Sequence, residues 1–118
     1  MTPGTDDPLR GEIWLAALGK GRPDEPGKAR PVVVISPSTW APYRADDLVT
    51  VAPLSASSAP GPDRIWLAAR PGLNRDSLAV ARAARPIARS RLLRQVARIE
   101  PGEEAALDYA LAMSLGLA

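Results

Sequence analysis

Residues 32–35 (VVVI) constrain the fold more than any other stretch of this sequence. Four consecutive β-branched residues cannot supply the apolar stripe of an exposed helix, because a helix would turn some of them towards solvent. Pro31 before the run and Ser36 and Pro37 after it mark its two ends. We therefore predict a short strand at residues 31–35 that is buried on both faces.

A positively charged residue lies directly before this predicted strand. Arg30 comes directly before Pro31, and Lys28 lies slightly upstream. A rigid core strand with a charge at its end can hold a guanidinium in a fixed position. Taken alone, Arg30 is more typical of a solvated flanking residue, so its meaning depends on the rest of the chain.

The composition limits both the architecture and the chemistry. With 118 residues, 46% of them apolar, the chain has material for one domain around one core. It contains no run of about 18 apolar residues, so no membrane span is predicted. It also contains no His and no Cys, which excludes a Ser–His pair, a cysteine nucleophile and a thiolate zinc site. The absence of Cys fits a cytoplasmic protein.

The charges are distributed unevenly along the chain. Residues 64–98 hold nine Arg and one acid, Asp76, although the net charge of the whole chain is only +2. Residues 99–118 hold four acids and no base. Because Arg is suited to bidentate contact with phosphate, this segment predicts a polyanionic partner, most plausibly nucleic acid. The alternative is a composition bias that enriches Arg, Ala and Pro together.

Six stretches with alternating or continuous apolar residues predict β-strands. Pro53 lies near the end of one of them, which indicates an edge strand or a strand terminus. The stretch least typical of a strand is 77–85, because it is rich in Ala. The predicted strands are residues 9–18, 31–35, 48–54, 64–68, 77–85 and 95–99.

A helix is predicted at the end of the chain. Pro101 suits the first turn, acidic residues follow it near the positive end of the helix dipole, and Gly116 ends the helix. Single helical turns are predicted at residues 36–40 and 88–93. A loop is predicted at residues 19–29, and its length is typical of functional or mobile loops. The predicted apolar face of the helix consists of Leu107, Leu111, Met113, Ser114 and Leu115.

These elements predict a small α+β domain that is mainly β and barrel-like. The domain is expected to span residues 9–118, and residues 1–8 are expected to form a disordered lead-in. Five pieces follow one another along the chain: RGEIW from Arg10, EPGKARPVVV from Glu25, VAPLS from Val51, GLNRDS from Gly72, and Arg91-Leu92 with the closing helix. Their order resembles that of the MazF/PemK family of bacterial toxins.

This resemblance implies an SH3-like small barrel, of the MazF, CcdB and Kid type, with a C-terminal α-helix. It also implies a toxin that cleaves single-stranded RNA sequence-selectively without a metal or any other cofactor. In this family the 2′-hydroxyl attacks the adjacent phosphorus and leaves a 2′,3′-cyclic phosphate and a 5′-hydroxyl. The implied partners are single-stranded RNA, a MazE-like antitoxin with an acidic C-terminal tail, and a second copy of the chain; no membrane is implied.

The resemblance also assigns roles to individual residues. Arg30 matches the catalytic arginine, and we expect it to clamp the scissile phosphate rather than act as a base, because a guanidinium keeps its proton. Ser55 falls where the family usually has a catalytic threonine. Glu25 is a candidate proton acceptor, with surface charge as the alternative. The residues expected to contact RNA are Lys28, Pro31, Ser36, Pro53, Ser57, Arg82 and Arg85.

The sequence departs from the family pattern at one place. Kid-like members have a catalytic aspartate at the position of Arg82, so a Kid-type mechanism is not expected here. Two alternatives remain open at this stage: a gyrase-poisoning toxin of the CcdB type, and a catalytically dead SH3-like binding module. The pair of Arg30 and Ser55 with an Arg-rich segment favours RNA cleavage over both.

Overall fold

The computed structural model describes residues 7–18, 29–57 and 59–118, which form seven strands and one α-helix. Short 3-10 turns at Ser38–Trp40, Ala81–Ala83 and Arg89–Arg91 connect some of them. The main elements are β1 (Glu12–Ala17), β2 (Ala29–Val34), β3 (Leu48–Ser55), β4 (Arg64–Leu67), β5 (Ser77–Val80), β6 (Arg85–Ala88), β7 (Leu92–Arg98) and α1 (Pro101–Ser114).

The strands form one antiparallel sheet in the order β4-β5-β3-β2-β1-β7. Strand β6 pairs with β3 beside this path. The predicted fold class, a mainly β α+β domain with a C-terminal helix, is confirmed. The pairing path is open, with β4 and β7 at its ends, so the sheet is barrel-like without being closed by these pairings.

Strand β3 is central and shares one of its edges between two partners. Its first half pairs with β6 as far as Val51, and its last residues pair with β5 from Leu54 onwards. Pro53 lies between these two segments and opposite Val32 on the other edge. A residue without an N–H is tolerated there, because neither β5 nor β6 is in register with it. Of the two predicted alternatives for Pro53, an edge strand or a strand terminus, the structure shows the second.

The central strand β2 is buried on both faces, as predicted. Val33 belongs to one core layer, which lies under the helix and includes Leu107. Val32 and Val34 belong to a second layer on the opposite face, which includes Trp14. All three valines are at most 1% exposed. The alternation of side chains along a strand explains why a continuous apolar run was needed here.

The helix begins and ends as the sequence predicts. Glu100 is the N-cap, and it forms a capping box with Glu103; Gly116 follows the helix with φ +74°. The predicted apolar face is partly wrong, because Met113 and Leu115 are exposed. The turn of 100° per residue places the buried side on Leu107 and Ala110, with Leu111 half-buried.

The largest correction concerns the predicted strand at residues 77–85. It is two strands, β5 and β6, separated by the 3-10 turn Ala81–Ala83. The chain has to move from one pairing segment of β3 to the other, and the Ala-Arg-Ala sequence has no β-branched residue to keep it extended. The predicted helical turns at 36–40 and 88–93 are confirmed as Ser38–Trp40 and Arg89–Arg91.

The predicted disordered lead-in is partly wrong. Residues 1–6 lie outside the described residues, but Asp7 and Pro8 are buried in the domain. The Asp7 carboxylate accepts a hydrogen bond from the backbone N–H of Tyr43 at 3.2 Å.

The remaining strand boundaries differ from the predictions by up to three residues, since the first strand begins at Glu12 and the last at Leu92.

Candidate nucleic-acid interface

An open groove of about 490 Å³ lies where the start of β2 meets the end of β3. The two strands are antiparallel, with Val32 opposite Pro53. Arg30 lies two residues before Val32, and Ser55 lies two residues after Pro53. Because the strands are antiparallel, both residues lie at the same end of the strand pair. Both line the groove. The sheet register thus brings together two side chains that are far apart in the sequence.

The floor of the groove is apolar. Leu15 of β1 lies opposite Pro31 of β2, and both line the groove together with Leu54 of β3. These residues come from three adjacent strands, so the floor runs across the sheet rather than along it. Apolar side chains can pack against the faces of nucleic-acid bases.

Polar groups surround this floor. Arg30 is exposed, and its Nη1 is 3.4 Å from the carbonyl oxygen of Ala29. The hydroxyl of Ser55 accepts a hydrogen bond from the backbone N–H of Ser57 at 3.3 Å, which ties the end of β3 to the residues that follow it. Ser57 also lines the groove.

The turn between β4 and β5 forms the opposite wall, with Asn74 and Arg75 lining the groove. Arg70 and Leu73 exchange two backbone hydrogen bonds of 2.9 and 2.8 Å, which close the turn. The Asp76 carboxylate accepts a hydrogen bond from the backbone N–H of Ala69 at 2.8 Å. The wall therefore has a defined backbone conformation on both sides of its polar residues.

Gly72 fixes how closely this turn approaches β7. It has φ +90°, and a Cβ atom at this position would lie 1.6 Å from the carbonyl oxygen of Val96. Only glycine combines this dihedral with so close a backbone contact. Gly72 therefore presses the turn against β7 and sets the position of the groove wall.

An ion pair holds the same turn from the other side. The Arg70 guanidinium donates to both carboxylate oxygens of Glu103 at 2.7 and 2.6 Å, and also to the carbonyl oxygens of Ala68 and Arg98. The hydrogen bonding from Arg70 to the Glu103 carboxylate is the main reason why the pKa of Glu103 is lowered, and burial opposes this shift. The same bond raises the pKa of Arg70. The pair joins the groove wall to the start of α1.

The chemistry available in the groove is that of an anion-binding surface. Arg30 and Arg75 supply positive charge, and Ser55, Ser57 and Asn74 supply hydroxyl and amide donors. Among the described lining residues there is no carboxylate. The arrangement can bind and polarise a phosphodiester, but a proton acceptor would have to come from elsewhere.

Four of the predicted site residues line the groove together: Arg30, Pro31, Ser55 and Ser57. Pro53 lies on β3 beside the groove without lining it. Ser36 lies beyond the other end of β2, where it is 2% exposed and its hydroxyl accepts a hydrogen bond from the backbone N–H of Thr50 at 2.8 Å.

The other predicted site residues lie elsewhere. The Nε atom of Arg82 is 3.7 Å from the Asp63 carboxylate, beside the end of α1. Arg85 lines a second groove of about 420 Å³ together with Leu48. A phosphate contact by either arginine would need RNA that extends beyond the first groove. Glu25 and Lys28 lie outside the described residues.

Sequence reasoning gave no role to Leu15, Asn74 or Arg75, although all three line the groove. A signal for the last two was present, because both belong to the GLNRDS piece that carries part of the family resemblance. For Leu15 the only signal would have been its strand register, which one sequence does not reveal.

The described parts of the chain contain neither a cluster of metal ligands nor a membrane-spanning helix. No group of three or more Asp or Glu side chains there is placed to hold a metal ion. No helix of the described ranges is long and apolar enough to cross a membrane.

The chain is similar to known toxins in sequence and in structure. The endoribonuclease MazF9 of Mycobacterium tuberculosis (strain ATCC 25618 / H37Rv) is 37% identical over 113 residues, which cover 92% of this chain and 96% of the relative. The solved M. tuberculosis toxin MazF-mt6 has a TM-score of 0.75 at 26% identity, covering 91% of this chain and 98% of that one. A MazE–MazF structure from Deinococcus radiodurans (Form-II) shares the fold, with a TM-score of 0.76 at 21% identity and coverages of 95% and 98%.

The family match extends over almost the whole chain. Residues 9–115 match the family described as PemK-like, MazF-like toxin of type II toxin–antitoxin system. The match includes every strand, the helix and both walls of the groove. The chain belongs to the MazF/PemK family of toxins.

Proposed function

We propose that this chain is the toxin of a type II toxin–antitoxin system and acts as a metal-independent, sequence-selective endoribonuclease on single-stranded mRNA. The observation that carries the proposal is the meeting of Arg30 and Ser55 in one open groove, opposite Asn74 and Arg75. Family membership and the 37% identity to an endoribonuclease support it.

In the proposed reaction the nucleophile comes from the RNA. Its 2′-hydroxyl oxygen bonds to the adjacent phosphorus, the bond from phosphorus to the 5′-oxygen breaks, and the products are a 2′,3′-cyclic phosphate and a 5′-hydroxyl. Negative charge on the non-bridging oxygens grows in the transition state, where the Arg30 guanidinium stabilises it. The Ser55 hydroxyl donates a hydrogen bond to the same phosphate. DNA lacks the 2′-hydroxyl and is not cut.

The reaction also moves two protons, from the 2′-hydroxyl and to the leaving 5′-oxygen. Arg30 is unsuited to accepting a proton, because a guanidinium cannot be deprotonated in an ordinary protein environment. We assign the acceptor role to Glu25, which precedes β2 in the sequence. Water, which reaches the open groove, supplies the proton that the leaving 5′-oxygen takes up. Lys28 is assigned a phosphate contact. Both assignments stay predictions.

The proposed partners follow from the charge of the groove. One solved neighbour is titled an endoribonuclease in complex with its cognate antitoxin, and another is a MazE–MazF complex. An acidic antitoxin tail would complement Arg30 and Arg75 and compete with RNA for the same groove. We further propose that the chain acts as a homodimer in the cytoplasm, where mRNA is available.

The test is cleavage of a long, unstructured RNA by the purified protein in EDTA, with mapping of the new ends. Arg30→Ala and Ser55→Ala are compared with Arg44→Ala, an exposed arginine that does not line the groove. We expect cuts with 5′-hydroxyl ends that are lost in the two groove variants and retained in the control.

Binding of an uncleavable 2′-O-methyl RNA separates catalysis from affinity. If Arg30→Ala stops cleavage but still binds this RNA, Arg30 acts in the chemical step. If the folded wild-type protein neither cuts nor binds RNA, the proposed function is wrong, and DNA gyrase is the next partner to test.

A further inference from the structure

Strand β7, at one edge of the sheet, carries Arg94 directly opposite Leu15 of the groove floor. Leu15 of β1 lies opposite Pro31 on one side and opposite Arg94 of β7 on the other. Side chains of directly opposed residues project from the same face of a sheet. The Arg94 side chain therefore lies on the same face of the sheet as Leu15 and Pro31, the two residues of the groove floor.

Strand β7 pairs regularly with β1 at this position. The register shifts between Ile13 and Trp14 and again between Leu15 and Ala16, so the regular pairs of Gln95 with Trp14 and of Arg94 with Leu15 lie between two bulges. Arg94 itself is exposed. Strand β7 ends the pairing path, so no described strand covers Arg94 from the outer edge.

Arg94 is close enough to extend the groove but too far away to share the role of Arg30. Adjacent strands are about 4.8 Å apart, so the backbones of β2 and β7 are separated by about 10 Å across β1. An extended RNA strand that leaves the scissile phosphate at Arg30 would cross Leu15 before it reaches Arg94. A guanidinium at that distance suits a neighbouring phosphate.

We infer that Arg94 binds a phosphate of the RNA outside the scissile position, so that the RNA runs across β3, β2, β1 and β7 rather than along them. This inference rests on the proposed function. Bases pack on the apolar floor of Leu15 and Pro31, and the backbone continues to Arg94. The groove then has two cationic positions along one RNA strand, one for cleavage and one for holding the strand.

The test uses two RNAs that contain a cleavage site mapped with the wild-type protein, one trimmed to the nucleotides next to the cut and one longer on both sides. We expect Arg94→Ala to lower kcat/KM on the long RNA about three- to tenfold and to leave the trimmed RNA unaffected. The slope of log affinity against log salt should become shallower by about 0.7 for the long RNA. Arg94→Lys should restore part of the loss, and Arg44→Ala should change nothing.

Three results would overturn the inference while leaving the proposed function intact. One is an unchanged kcat/KM and salt slope for Arg94→Ala on the long RNA. Another is an equal loss on both RNAs, which would place Arg94 at the cut itself. The third is a change in molecular mass in solution, which would make Arg94 part of a subunit interface. If the wild-type protein cuts no RNA, so that no cleavage site can be mapped, the proposed function fails instead.

Discussion

Removing the charge of Glu103 should loosen the groove wall from α1. Glu103→Gln keeps the size of the side chain but replaces one of the two acceptors of Arg70 with an amide NH₂ group, which the guanidinium cannot bond. A hydrogen bond to a charged group contributes about 1.5–3 kcal/mol. Both side chains keep some solvent contact, at 16% and 20% exposure, so we expect a loss of about 2 kcal/mol in the free energy of unfolding at pH 7.

Urea unfolding followed by circular dichroism measures this loss. With a slope of about 1–3 kcal/mol per M, the midpoint should fall by about 1 M while the slope itself stays the same. Arg70→Ala should lose more, because the carbonyl oxygens of Ala68 and Arg98 lose their donor as well. Equal midpoints for the wild type and Glu103→Gln would refute the reasoning.

The same pair predicts a pH dependence. Because the pKa of Glu103 is lowered in the folded state, its stabilising effect is fully present above the ordinary value of 4.5 and is lost as the pH falls through the lowered folded pKa. The midpoint difference between wild type and Glu103→Gln should therefore shrink at acidic pH. A difference that stays constant from pH 7 to pH 3 would show that the carboxylate charge is not its cause.

Two further substitutions test features on which the groove and the first strand depend. Gly72→Ala should cost about 2–4 kcal/mol and reduce RNA cleavage, because the new Cβ would collide with the Val96 carbonyl. Gly102→Ala is the control: it lies in the first turn of α1 with nothing within 4 Å, so urea unfolding should show no loss of stability and at most a small gain. Glu12→Ala should cost about 2 kcal/mol, because it leaves the buried Trp14 Nε1–H without its 3.0 Å acceptor. Glu12→Gln should retain most of the stability, because the amide oxygen can still accept this hydrogen bond. Near-ultraviolet circular dichroism and urea unfolding measure the two variants.

Local sequence patterns predicted the core strand and the helix ends well. Residues 32–35 required burial on both faces, and Pro101 with the acidic residues after it marked the start of α1. The split of residues 77–85 into β5 and β6 could not be predicted in this way. It depends on β3 offering two successive pairing segments, which is a long-range property of the sheet.

The site was predictable in part for the same reason. The family resemblance selected Arg30 and Ser55, and the antiparallel register of β2 and β3 brings both to one groove. Arg82 and Arg85 were expected to contact RNA from the same resemblance, yet the turn between β5 and β6 places them at other surfaces. Net charge along a sequence does not reveal which face of a sheet each arginine reaches.

The division of β3 between two partners has a consequence for the motion of the groove. Strand β5 is joined to β3 through only two residue pairs, Leu54 with Ala79 and Ser55 with Leu78. Backbone pairing with β3 therefore contributes little to holding the hairpin of β4 and β5, which depends instead on its buried Ile65 and Leu67 and on the Arg70–Glu103 ion pair. If this ion pair is broken, the hairpin should open locally, and its amide protons should exchange with solvent sooner than in the wild type. Since this hairpin carries Asn74 and Arg75, each such opening widens the groove and gives a long polymer a way in from the side.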